Sequence, residues 1–190
     1  MLGSIIMKHA LRNNNVVYNP HKDNLVKLVS EPSDFEFLLK GRDKGNAEAV
    51  FDYLQALNLN VYISGSALAN FVDSGRKKYS DIDFVATAGN QTLNDAIQTI
   101  RKDAEIPIPI IAPATVGRNL TLGKKSFAVS EYSKLGLLYM HSESDFRFRF
   151  YSERSIGGLI GKVMQNIAPL ADIDVTLIAQ SGFEKYFLHK

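Results

Sequence analysis

The chain of 190 residues contains no cysteine. That excludes disulfide scaffolds, thiol nucleophiles and cysteine-ligated zinc, and it fits a reducing, cytoplasmic setting. Charge of one sign is also scarce. Lys and Arg number 22 against 20 Asp and Glu, a formal charge of +2, so no global field draws the chain to a polyanion or a membrane. Basic residues cluster only locally, at Arg76-Lys77-Lys78, at Lys124-Lys125 and at Arg147, Arg149 and Arg154. Long apolar runs are missing as well: the segment around 106–114 is far shorter than the roughly 20 residues that span a bilayer, and no membrane partner is expected. The opening "MLGSIIMKHALR" is too short and too poorly organised for a signal peptide. Histidine occurs at positions 9, 21, 141 and 189, with no pair at metal-ligand spacing. None is placed to activate Ser64, Ser66 or Ser130, which leaves a serine hydrolase unsupported.

What is present is ordinary globular material, 45% hydrophobic and 22% charged, enough for one sizeable core. A single domain over 1–190 is expected, with residues 1–24 a loop-rich, mobile N-terminal segment. "NLVKLV" reads as a short strand. "NAEAVFDYLQALN" places Ala47, Val50, Phe51, Leu54 and Leu57 at helical intervals, with Asn46 as its N-cap. Residues 61–64 form a short buried strand broken by Gly65, and "SALANFVDSG" a short helix stopped by Gly75. "DIDFVAT" is a second strand, and "NQTLNDAIQTIRKD" an amphipathic helix. "IPIPIIAPAT" cannot lie centrally in a sheet, because its prolines donate no hydrogen bond. "SFAVSEY", "KLGLLYM" and "DFRFRFY" suggest a meander, "SIGGLIGKVMQNIA" a glycine-weakened helix, "DIDVTLIA" a last strand and "GFEKYFLHK" a closing helix. The fold class is α+β: a mixed, mostly antiparallel sheet with helices on one face and a metal site on the other, at its edge.

The chemistry concentrates in "VYISGSALANFVDSGRKKYSDIDFVAT", residues 61–87. Asp81 and Asp83, two apart on a strand, point to the same face. Their like charges would push one carboxyl's pKa upward, and a divalent cation removes that conflict. Hard oxygen ligands suit Mg²⁺ or Mn²⁺, and Mg²⁺ characteristically combines one or two carboxylates with substrate phosphates. Upstream, a strand running through Gly65-Ser66 into a helix makes a phosphate subsite: glycine permits close backbone approach, and the serine hydroxyl, the amides and the helix N-terminus favour an anion. Together these describe a site for a metal-bound triphosphate.

Strand, Gly65-Ser66, short helix, Asp81-Ile82-Asp83 and strand, in that order, resemble the signature of the DNA polymerase β-like nucleotidyltransferase superfamily. "KYSDIDFV" is close to a form common there, and the likeness covers about residues 46–100. The resemblance implies a polymerase β palm-like fold, with Gly65 and Ser66 holding the triphosphate of an NTP such as ATP, and Asp81 and Asp83 binding Mg²⁺. It also implies a third carboxylate on a later strand, for which Asp174 in "ADIDVTLIA" and Asp145 at the head of "DFRFRFY" compete. Arg147 and Arg149, sharing a face of the latter strand, could contact phosphates while the phenylalanines face the core. The implied reaction is Mg²⁺-dependent transfer of NMP to an acceptor hydroxyl with release of pyrophosphate, as in polymerases, antibiotic-modifying enzymes and toxin–antitoxin-like members.

Other readings fare worse. "DIDFV" and "DIDVT" match the aspartate motif of haloacid dehalogenase-like phosphatases, but there the hydrophobic strand precedes the motif, and after Asp172 only 18 residues remain. A sugar-nucleotide glycosyltransferase meets the first objection too. "SIGGLIGK" lacks the first glycine and the hydroxyl residue of a P-loop. Asp81 and Asp83 could simply be a solvated strand entrance paired with Arg76-Lys77-Lys78, Ser66 serves as a helix N-cap in either case, and Tyr79 is the aromatic residue placed to stack on a base. A non-catalytic nucleotide- or nucleic-acid-binding module that keeps the fold is the competing class. The acceptor, whether RNA, protein or small molecule, is not written in the sequence, and exposed strand edges leave homo-oligomerisation open.

Overall fold

The computed structural model describes residues 16–19, 24–107, 114–132, 146–152 and 172–188. Two short strands, β1 (Val16–Asn19) and β2 (Asn24–Val29), lead to a helical turn, α1 (Ser33–Glu36), and a long helix, α2 (Gly41–Ala56). Then come β3 (Asn60–Ser64), α3 (Gly65–Ser74), β4 (Ile82–Ala88) and α4 (Asn90–Asp103). The remainder is β5 (Ala114–Leu122), β6 (Lys125–Tyr132), β7 (Phe146–Ser152), β8 (Ile173–Ala179) and α5 (Gln180–Phe183), which runs on as a π-helical turn, Glu184–Leu188. The eight strands among the described residues form one sheet in the order β1-β2-β3-β4-β8-β7-β6-β5. Every pairing is antiparallel except β4 with β8, which run parallel at its centre. The architecture is α+β with a mixed sheet.

Side-chain parity sorts the two faces. Ile82, Phe84 and Ala86 of β4, Ile173, Val175 and Leu177 of β8, and Phe148 and Phe150 of β7 enter the main core. There they meet Val50, Phe51 and Leu54 of α2, Ala67 and Leu68 of α3 and Leu93, Ala96, Ile97 and Ile100 of α4. These helical residues recur at three- and four-residue intervals, the spacing of one buried stripe. Alternation then commits Asp83, Asp174, Arg147 and Arg149 to the opposite face. Arg101 donates through Nε and Nη2 to Glu131 at 2.8 and 2.7 Å, fastening α4 to β6 inside the main core.

Several expectations need correction. Helices do not keep to one face. Phe183 and Phe187 of the C-terminal segment form a second, smaller core with Val26, Val85 and Ile178 on the other side, and the Phe183 ring lies 4.3 Å from that of Tyr62. The carboxylates lie at the ends of the two central strands, not at a sheet edge. α2 starts at Gly41 rather than Asn46, and Lys40 is its N-cap. The Lys40 amide donates to the Tyr79 hydroxyl at 2.7 Å, a long-range cap that local sequence does not reveal. Of the N-terminal segment 1–24, only residues 16–19 and 24 are among the described residues, and 16–19 form β1, which pairs with β2. β5, which begins in the last two residues of the proline-rich stretch, is an edge strand, and residues 108–113 of that stretch lie outside the described residues. "KLGLLYM", "SIGGLIGKVMQNIA" and Asp145 lie outside the described residues.

Candidate metal centre

Three register relations assemble the site. Asp83 pairs with Ser64 across the β3–β4 ladder and with Asp174 across the parallel β4–β8 pair. Asp174 pairs in turn with Arg149 on β7. A lateral row therefore runs Ser64, Asp83, Asp174, Arg149 across four adjacent strands, on one face. Asp81 stands one position before β4 and joins the row from its end. One carboxylate oxygen from each of Asp81, Asp83 and Asp174 lies within 4.8 Å of the others.

The turn after β3 is shaped to this cluster. Gly65 has φ +69°, and a Cβ built on it would stand 1.9 Å from Asp83 Oδ2. Both the backbone conformation and the room require glycine. Helix α3 starts directly from this turn, with Ser64 as its N-cap residue and Ser66 in its first turn; the cap assigned to Ser66 from sequence belongs to Ser64. At the far end Gly75, φ +68°, closes the helix as expected, its N–H donating to the Phe71 carbonyl at 2.8 Å.

Electrostatically the site is strained without a cation. Burial, the charge of Asp81 and the charge of Asp174 push the Asp83 carboxyl up to about 7, against the opposing pull of Arg147 and Arg149. Asp174 is only 4% exposed. Burial likewise raises its pKa, although Arg149 Nε donates to Oδ2 at 3.1 Å and Arg147 Nε lies 3.6 Å from Oδ1. Burial outweighs two guanidinium neighbours there because so little water reaches the carboxylate. Asp174 Oδ1 accepts no hydrogen bond among the described residues. A buried carboxylate oxygen left in that condition is costly, and a cation shared with Asp81 and Asp83 would satisfy it. Three convergent carboxylates are hard oxygen donors of the kind Mg²⁺ and Mn²⁺ take, so the residues fit such an ion.

The surroundings assign further roles. Tyr79, considered from sequence for base stacking, is committed elsewhere: its hydroxyl donates to Asp43 at 2.6 Å and caps α2. Arg76, Lys77 and Lys78 are exposed and form no ion pair with the aspartates among the described residues. Asp172, first acid of the second "DID", is structural, accepting the Ser152 amide at 2.6 Å, while its own carbonyl receives the Ile82 amide at 2.9 Å. Behind the arginines, Tyr132 and Tyr151 bring their hydroxyls within 3.2 Å of each other, and Ser130 Oγ lies 3.4 Å from Tyr151. The Arg149 guanidinium packs over the Tyr132 ring at 4.4 Å. This hydroxyl cluster was missed in the sequence, although the parity that selects Arg147 and Arg149 also selects Tyr151.

No family model matches the chain, and no curated protein or solved structure matches it.

Proposed function

We propose that the protein is a divalent-cation-dependent nucleotidyltransferase, moving a nucleoside monophosphate from an NTP to an acceptor hydroxyl with release of pyrophosphate. The observation that carries this reading is the convergence of Asp81, Asp83 and Asp174 within 4.8 Å, against a positive-φ glycine turn that opens a helix. Asp81, Asp83 and Asp174 would hold the cation, Mg²⁺ or Mn²⁺. When bound, it supplies charge neutralisation for the triphosphate and a Lewis-acid contact for the reacting oxygens. The Gly65 turn brings backbone amides and the Ser66 hydroxyl toward the β- and γ-phosphates, at the favourable end of the α3 dipole. The acceptor oxygen forms the new bond to the α-phosphorus, the bridging bond to the β-phosphate breaks, and pyrophosphate leaves with the electron pair. The hydroxyl proton passes to the carboxylate cluster. Positioning and electrostatics account for the catalysis, and no histidine or cysteine is needed.

One observation favours a second reading. Asp174 is already paired with Arg149 and faced by Arg147, so part of the cluster is neutralised by the chain itself, as a non-catalytic nucleotide-binding module would allow. Thermal melting with each of the four NTPs and Mg²⁺ tests binding. A nucleotide at 100 times its dissociation constant adds about 2.7 kcal/mol, or roughly 5 to 10 °C for a chain of this size. The shift is expected to vanish in the Asp81→Asn/Asp83→Asn double variant. Pyrophosphate release with an acceptor then separates the two readings: binding without release under any acceptor supports the module, and a shift that survives in the double variant removes the site from both.

A further inference from the structure

The three acids of the cluster are not held alike. Asp83 and Asp174 sit inside the β4–β8 ladder, with Ser64 and Arg149 as their outer neighbours in register. Asp81 precedes β4 and has no partner in that ladder. Ile82 fixes it on one side, since its amide donates to the Asp172 carbonyl at 2.9 Å. On the other side runs the segment 75–80, which leaves α3 without regular structure. Arg76, Lys77, Lys78 and Ser80 are exposed there, and Tyr79 packs against the main core.

The Tyr79 hydroxyl joins that segment to the start of α2. It donates to Asp43 Oδ2 at 2.6 Å and accepts from the Lys40 amide at 2.7 Å, so its one proton and an acceptor position are both in use. The Lys40 ammonium lies 5.3 Å from the ring centre. α2 is itself a fixed body, because Ala47, Val50, Phe51 and Leu54 are fully buried. Asp43, Asn46, Tyr79, Asp81 and Asp172 line one small polar cavity of about 40 Å³, so the α2 start and Asp81 border the same space. Two residues of chain reach about 7 Å at most, and a displacement of Tyr79 is passed to Asp81 with little slack.

Resting on the metal centre and function proposed above, we infer that Tyr79 is a positioning residue for Asp81. Its hydroxyl clamps the loop to α2, and so presets for the cation the one carboxylate of the three that no strand ladder holds. Mg²⁺ demands near-octahedral geometry and tolerates a misplaced ligand badly. Contacts that orient a metal's ligands from outside typically contribute about 10- to 100-fold in affinity.

Mn²⁺ affinity of the full chain tests this, read without nucleotide from the EPR signal of the free ion, with folding checked by circular dichroism at the same temperature. Tyr79→Phe keeps the ring and removes both hydrogen bonds. It is expected to stay folded and to bind Mn²⁺ at least about tenfold more weakly. Phe183→Ala loses packing in the other core and should bind Mn²⁺ like wild type. Asp43→Asn removes a charge but keeps an acceptor for Tyr79, so it should retain affinity that Asp43→Ala loses. Asp83→Asn locates the ion and should abolish binding. If it does so while Tyr79→Phe binds like wild type, the clamp is overturned and the metal centre stands. Equal weakening in Tyr79→Phe and Phe183→Ala overturns it too, since the effect then follows stability rather than position. Mn²⁺ binding that is absent from the wild type, or indifferent to Asp83→Asn, removes the metal centre and the clamp with it. Weakening in Tyr79→Phe alone, in a protein with no NTP–Mg²⁺ melting shift, keeps the clamp and defeats the transferase reading. Should Tyr79→Phe fail to fold, the two Asp43 variants answer the question, and equal affinity in both overturns the clamp.

Discussion

Asp83 has Asp81 and Asp174 for neighbours and a glycine turn against its carboxylate, and its carboxyl is pushed up to about 7, by burial first and then by those two charges. The unfolded chain releases the same proton near the ordinary value of about 4. Between these values the native state holds more protons than the unfolded state, so stability falls as pH rises through the window from about 4 to about 7. The metal-free protein should therefore melt lower at about pH 8 than at about pH 5.5, by calorimetry in the presence of a chelator. Asp83→Asn should flatten that dependence and raise the melting temperature on the alkaline side, and Mg²⁺ should flatten it in the wild type. A chelated wild type that gains stability on passing from about pH 5.5 to about pH 8 would contradict the assignment. Gly65 is exposed to a simpler test. Alanine there meets Asp83 Oδ2 at 1.9 Å and must adopt a left-handed backbone, which alone costs about 1–2 kcal/mol. Gly65→Ala should lower the melting temperature and also abolish the NTP–Mg²⁺ shift, because the carboxylate has to move; a loss of stability with the shift intact would show that the turn only supports the fold.

At the scale of elements, strands and helices with strong periodicity could be read directly. β4 and β8 announced themselves as apolar runs after an aspartate, β7 through the alternation of Phe146, Phe148 and Phe150, and α3 through its terminal glycine. What could not be read was anything decided by a partner distant in sequence. At the start of α2 the Lys40 amide donates to the Tyr79 hydroxyl, supplied from beyond β3 and α3. Whether Asp174 or Asp145 joins Asp81 and Asp83 depends on which strand lies beside β4, and no local pattern states that β8 runs parallel to it. The two "DID" motifs look alike, yet one supplies Asp81 and Asp83 to the cluster while the other divides its acids between a backbone contact at Asp172 and the cluster at Asp174. Glu131 shows the same limit. Its alternation places it in the core, but only the structure supplies Arg101 as the reason a carboxylate survives there, 3% exposed. Glu131→Gln should cost about 3 kcal/mol, the lower end for a broken buried pair since Arg101 keeps some contact with water. Denaturant unfolding measures this, and a change below about 1 kcal/mol would mean that the pair is not needed to hold α4 on the sheet.

For the whole molecule, the sheet is a shared wall between two unequal cores. The larger, under the helices, carries most of the buried apolar surface, and the smaller is closed by Phe183 and Phe187. Phe183 is fully buried, so Phe183→Ala should cost about 3–5 kcal/mol. Because Phe183 packs with Val26, Val85 and Ile178, a cluster that includes neither Asp83 nor Asp174, folded Phe183→Ala protein should keep its nucleotide shift at low temperature, as ligand titration would show. A parallel loss of binding would mean that the second core supports the site as well as the fold.

The parallel pairing of β4 with β8 also sets the order in which the site can exist. Between Asp83 and Asp174 the chain must pass through α4 and build β5, β6 and β7 before returning to the sheet centre. Contacts of such sequence separation are slow to form, since loop closure has to be met before any pairing is gained. A nascent chain that has just emerged through β4 carries two acids and the Gly65 turn but neither the third carboxylate nor the arginines that offset it. On the function proposed here, tight Mg²⁺ binding would be a property of the completed sheet alone, and the appearance of a high-affinity Mn²⁺ signal during refolding would serve as a clock for the last strand to insert.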